Sequence, residues 1–148
     1  MSMKSWTEYG YGIPLNCGEN IEAIKKFICD NALADSVHHE LRINDEEKAK
    51  IMKCEDTGEI YEILDKYPSC VIAEMINAKE GTTLFRGYPP DCDTDQEEMI
   101  GAEPMYPWQM NEKDKSLTQD QIKEILVKYA GEMGVTEEPD FFSADYYG

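Results

Sequence analysis

The sequence predicts an α+β fold: an antiparallel sheet of three to five strands with about four helices packed on one face. Three observations carry that expectation. Alternating β-type stretches stand at both ends of the chain, WTEYGYGI near the start and DFFSADYYG at the finish. Apolar residues recur at helical spacing in several intervening segments. Gly, Pro, Asn and Asp punctuate the boundaries between them. With 148 residues and 41% hydrophobic content, residues 1–148 read as one domain able to bury a core.

The elements follow in order. Over Trp6–Ile13, Thr7, Tyr9, Tyr11 and Ile13 alternate with Trp6, Glu8, Gly10 and Gly12, a strand that Pro14 ends. Ile21, Ile24, Phe27 and Ile28 mark one face of a helix over Asn20–Asn31, and Leu33, Val37 and Leu41 point to a second over Ala32–Ile43. Asn44 followed by Asp45-Glu46-Glu47 is a capped start for a short helix running to about Cys54. Asp56 with Glu59 caps another, whose stripe of Ile60, Ile63, Leu64 and Tyr67 is stopped by Pro68.

Cys70–Ile76 and Thr82–Gly87 read as a hairpin, with Gly81 at a positive-φ position of the turn. A third strand is expected over Glu98–Tyr106, and Pro104 and Pro107 would confine it to a sheet edge or a broken ladder. Asn111–Ser116 reads as a polar linker. Thr118 with Gln121 forms a capping box for a helix carrying Ile122, Ile125, Leu126, Tyr129 and Met133, and Gly134 stops it. Asp140–Gly148 holds four aromatics. It is expected to pack beside the N-terminal strand, the alternative being a partner site.

Charge bounds the function. The chain has 31 acidic and 14 basic residues, a net charge of −17. Such a field repels nucleic acid and anionic membranes and attracts basic surfaces. The surplus is uneven: Tyr88–Asp114 holds eight acids against Lys113 alone, whereas Lys66–Gly87 and Lys115–Gly131 are nearly balanced. The five cysteines form no CxxC pair, and no stretch resembles a signal peptide or membrane span, so a cytoplasmic protein with free thiols is expected.

Candidate chemistry is sparse, and no cofactor is indicated. Asp91, Asp93 and Asp95 copy the opening of an EF-hand loop, but Gln96 stands where the loop needs glycine and Ala102 where it needs a bidentate Glu. A solvated loop is the better reading. His38-His39-Glu40 lacks the H-E-x-x-H spacing that puts two histidines on one helical face. A small enzyme or ligand-binding protein would have to combine His38 or His39 with a cysteine or a carboxylate from elsewhere.

The opening WTEYGYGI resembles the start of small uncharacterised proteins of phages and mobile elements of Gram-positive gut bacteria, over those eight residues only. That resemblance implies a small accessory protein that binds and blocks a host enzyme, as anti-CRISPR and anti-restriction proteins do. Together with the charge it makes a non-enzymatic inhibitor the leading expectation, one that occupies a basic groove, such as that of a nucleic-acid-binding enzyme, by mimicking nucleic acid. The expected contact residues are Asp91, Asp93, Asp95, Glu97 and Glu98 with Tyr88, Tyr106 and Trp108. A homodimer joined through the aromatic termini is a further alternative.

Overall fold

A computed structural model describes residues 5–32, 42–90 and 97–147, with the side chain of the last left out. The second expected helix over Ala32–Ile43, the histidine pair and Asp91–Gln96 lie outside or largely outside these residues. The order is β1 (Ser5–Pro14), α1 (Cys17–Asn31), α2 (Asp45–Met52), α3 (Thr57–Leu64), α4 (Pro68–Glu80), β2 (Phe85–Tyr88) and β3 (Met99–Ala102). A 3₁₀ turn (Pro107–Gln109), α5 (Glu112–Ser116), α6 (Gln119–Glu132) and β4 (Asp140–Tyr147) complete it.

The strands form one antiparallel sheet in the order β2-β3-β1-β4. The fold is α+β, as the sequence predicts. Register places Gly87, Ile100 and Ile13 in one row on one face, and Phe85, Ala102, Tyr11 and Phe141 in the next. Ile13, Ile100 and Phe85 belong to the main core, which also takes Ile24 and Ile28 of α1, Ile72 and Met75 of α4 and Leu126 of α6. The opposite face carries a smaller cluster of Tyr88, Ala144 and Tyr146 with Met99 and Phe142. There the ring of Phe142 lies over Gly10 and Gly101, where a Cβ would stand 2.8 and 2.9 Å from it.

The caps form where expected. Asn44 with Glu47 and Thr118 with Gln121 close reciprocal capping boxes, and the Asp56 side chain accepts from the N–H of Glu59. β4 pairs with β1 from Ser5↔Tyr147 to Gly12↔Asp140.

Four expectations are corrected. Cys70–Ile76 is the body of helix α4, not a strand. Val71, Ile72, Ala73, Met75 and Ile76 are all buried and cover more than half of the helix circumference, so the apolar arc is too broad to stand out as a narrow amphipathic stripe. Gly81 does have positive φ (71°), but as the cap that ends α4. Pro68 begins α4 at its first position, where a missing N–H costs nothing; α3 has already stopped at Asp65, which is left-handed.

β3 covers only Met99–Ala102 and is an interior strand, not an edge; its ladder breaks off before Pro104, the other arrangement the prolines allow. Asn111–Ser116 is not a linker but α5 with its cap: Asn111 and Asp114 form a capping box on a short helix.

Candidate functional site

The residues nominated by charge and aromaticity divide into three groups. Asp91, Asp93 and Asp95 lie outside the described residues, as do His38 and His39. Tyr88 and Glu98 are buried and act within the fold. Glu97, Tyr106 and Trp108 are exposed.

Tyr88 is removed from any contact surface. Its ring meets Phe142 edge-on at 4.7 Å, Arg86 sits 5.0 Å above it, and its hydroxyl donates to the Tyr9 carbonyl at 3.0 Å. Burial pushes its pKa up to about 12, so the phenol stays protonated.

Glu98 ties together the starts of two helices. Its Oε1 accepts from the Ser69 N–H of α4 at 3.0 Å, and its Oε2 from the Cys17 thiol of α1 at 3.3 Å. Its carbonyl also accepts from the Leu15 N–H at 3.0 Å. Neither helix has a side-chain cap of its own, so this carboxylate satisfies an otherwise orphaned donor at the positive end of α4. Replacing Glu98 by Ala is expected to cost about 2 kcal/mol, because a buried N–H loses its acceptor. Glu98→Gln keeps an acceptor oxygen and should cost less. Urea unfolding of the two variants checks the order.

A cleft of about 400 Å³ opens beside these groups, lined by Asn16, Cys17, Glu19, Thr57, Glu97 and Glu98 among others. Its chemistry does not suit a nucleophile. Burial, then the Glu98 carboxylate, pushes the Cys17 thiol far up, the opposite of what a thiolate needs. Cys29, Cys54 and Cys70 are also raised, each chiefly by burial. Among the described residues, no group of three or more His, Cys, Asp or Glu is placed to hold a metal ion.

Tyr106 and Trp108 are the nominated aromatics that the structure brings together on the surface. Their rings stack 4.6 Å apart and 3° from parallel, with 63% and 79% of the two residues exposed. The 3₁₀ turn at Pro107–Gln109 holds the pair. The Tyr106 N–H donates to Gln109 Oε1 at 3.0 Å, and the Gln109 N–H returns to the Tyr106 carbonyl at 2.9 Å. Pro107 fixes φ between the two rings.

Several cations are engaged by carboxylates of the same chain. Arg86 lies between Glu8 (2.7 Å) and Glu103 (3.3 Å), and Lys128 pairs with Glu80 at 3.5 Å. Lys25 is buried; its Nζ meets Glu22 at 2.8 Å and donates to the carbonyls of Met52 and Cys54, closing the end of α2. With 31 acids against 14 bases, even complete pairing would leave the surface strongly anionic.

The chain matches no protein-family model, no curated protein and no solved structure. Among the described residues, no helix is long and apolar enough to cross a membrane. Sequence reasoning did not anticipate Glu98 as a structural group. Its partners lie 29 and 81 residues away, so no local pattern marks it.

Proposed function

We propose that the chain is a non-enzymatic binding protein that docks on a basic protein surface, the Tyr106–Trp108 stack serving as its anchor. The observation that carries this reading is the stack itself: two large rings held in a proline turn and left largely exposed by their own fold. Tyr and Trp dominate many interfaces because they bury much area at little conformational cost. The charge of −17 supplies the second half of the recognition, drawing a cationic partner in and repelling nucleic acid.

A groove that normally holds nucleic acid is the partner class such a surface fits, and occupying it would inhibit the partner. The likeness of WTEYGYGI to proteins of mobile elements supports the same direction. The contact set is refined to Tyr106, Trp108 and Glu97, with Asp91, Asp93 and Asp95 retained from the sequence. Glu98 and Tyr88 are withdrawn, because both are buried.

A partner captured from lysate at low salt should dissociate as salt rises. Trp108→Ala should weaken that complex about 30-fold, or about 2 kcal/mol, without lowering the melting temperature. Neutralising Asp91, Asp93, Asp95 and Glu97 together should chiefly slow association. A complex indifferent to salt and to Trp108→Ala would end this reading.

A further inference from the structure

β4 is the last strand of the sheet, and among the described residues no strand pairs with its outer side. Along its eight residues every second N–H and C=O therefore faces outward, a template for another strand, although the Phe141 N–H is held by the Asp140 carboxylate at 2.8 Å and would have to be released to a ligand. Proteins usually blunt such an edge with lysine, proline, a bulge or a short strand. β4 has no Lys, Arg or Pro, its charges are the carboxylates Asp140 and Asp145, and its register with β1 runs unbroken over all eight pairs.

The two faces of this ribbon differ. Ala144 and Tyr146 are buried on one, whereas Phe141, Ser143 and Asp145 are exposed on the other. Phe141 is 69% exposed, and Tyr9, across on β1, is 63% exposed. Between that face and the start of α6 lies an apolar pocket of about 290 Å³, whose walls include Tyr9, Tyr11, Pro104, Ile122 and Phe141.

Charge selects the occupant. From Glu132 to Gly148 there are five acids and no lysine or arginine. A second copy of β4 laid on this edge would set acid against acid, each chain bringing a net charge of −17.

From these observations we infer that β4 receives an extended cationic segment of the partner as a fifth strand, with one apolar side chain of that segment anchored against Phe141 and the pocket. For the sign of the ligand's charge, the inference rests on the basic-partner reading; for the edge and the pocket, it does not. Main-chain hydrogen bonds supply affinity in this mode, and alternate side chains supply selectivity. The ligand residue opposite Phe141 would stand with its Cβ about 5 Å from that of Phe141, on the same side of the sheet as the pocket. Residues to either side of it would carry the positive charge.

The test uses the full chain and an eight-residue peptide alternating lysine with valine, one central valine replaced by phenylalanine. Binding is read by fluorescence anisotropy and by hydrogen exchange of the β4 amides. The peptide should bind and protect those amides, and its glutamate counterpart should not. N-methylating the alternate amides that face β4 should abolish binding, while methylating the other set should be tolerated. Phe141→Ala and Ser143→Lys, both at exposed positions, should each weaken binding about tenfold, and Trp108→Ala should leave it unchanged.

If both methylated peptides bind equally well, or Phe141→Ala has no effect, strand addition is wrong. A partner complex that still depends on salt and on Trp108 would survive that result, so the two readings fail separately. A chain that sediments as a dimer broken by Ser143→Lys would assign the edge to a second copy and overturn the proposal.

Discussion

Gly87→Ala is expected to destabilise the fold by on the order of 4 kcal/mol and to lower the melting temperature by about 10 °C. A Cβ at this position would stand 2.4 Å from the Cys70 nitrogen and the Ser69 carbonyl carbon, and 2.6 Å from the Cys70 Cα. These are backbone atoms of the first turn of α4, which no rotamer change can move aside. The helix start rests directly on β2 because Gly87 has no side chain. Lifting it would also stretch the 3.0 Å bond from the Ser69 N–H to Glu98, so the penalty combines a clash with the loss of a buried hydrogen bond. Gly131→Ala in α6 is the control. A Cβ there meets nothing within 4 Å, so alanine should stabilise by about 0.5 kcal/mol through helix propensity. If Gly87→Ala melts within a degree or two of the parent, the close approach of helix and strand is wrong.

The same contact explains what was legible in the sequence and what was not. Caps are local chemistry, so Asn44, Asp56 and Thr118 marked their helices correctly. The two terminal ribbons pair along their length. β4 alternates because Ala144 and Tyr146 are buried while Phe141, Ser143 and Asp145 are exposed, whereas in β1 the alternating Thr7 and Tyr9 stay exposed and the buried positions include Gly10 and Gly12. α4 was misread because it is enclosed. Val71, Ile72, Ala73, Met75 and Ile76 cover one broad buried arc, and a short β-branched run gives the same signal as a core strand. Pro68 and Gly81 bound either element equally well.

At the site, the limit was of a different kind. Glu97 and Glu98 are adjacent and identical, yet one is exposed and the other buried against two helix starts, a distinction set by tertiary contacts alone. Tyr88, Tyr106 and Trp108 posed the same problem. Only the prolines around the last two hinted that those rings would be held on an irregular, exposed turn.

Asp114→Ala is expected to cost about 3 kcal/mol at neutral pH, with a pH dependence that identifies the cause. Asp114 is buried and latches α5 to the segment between α4 and β2. Its Oδ1 accepts from the Thr83 N–H at 2.8 Å, and its Oδ2 from the Thr83 hydroxyl and from the Asn111 N–H at 3.0 Å. Asn111 in turn donates to the Gly81 carbonyl at 3.0 Å.

Burial alone would raise this carboxyl. The hydrogen bonds from the Thr83 side chain and from backbone N–H groups outweigh it and hold the pKa below the ordinary 3.8. A folded-state pKa below the unfolded one means that the unfolded chain binds the proton more readily. The stabilisation is therefore complete above the unfolded value and is lost as the pH falls through the folded one. The stability gap between the parent and Asp114→Asn should thus be wide at pH 7 and narrow steadily below about pH 4. Urea unfolding of both proteins at pH 7 and pH 3 measures it. A gap that does not change with pH would mean that packing at this position, rather than the charged acceptor, sets the cost. Asn111 follows the Pro107–Gln109 turn by two residues, so the variant should also loosen the platform that carries Trp108. Partner binding should then weaken in Asp114→Asn more than a remote substitution of equal instability would weaken it, which links the latch to the proposed site.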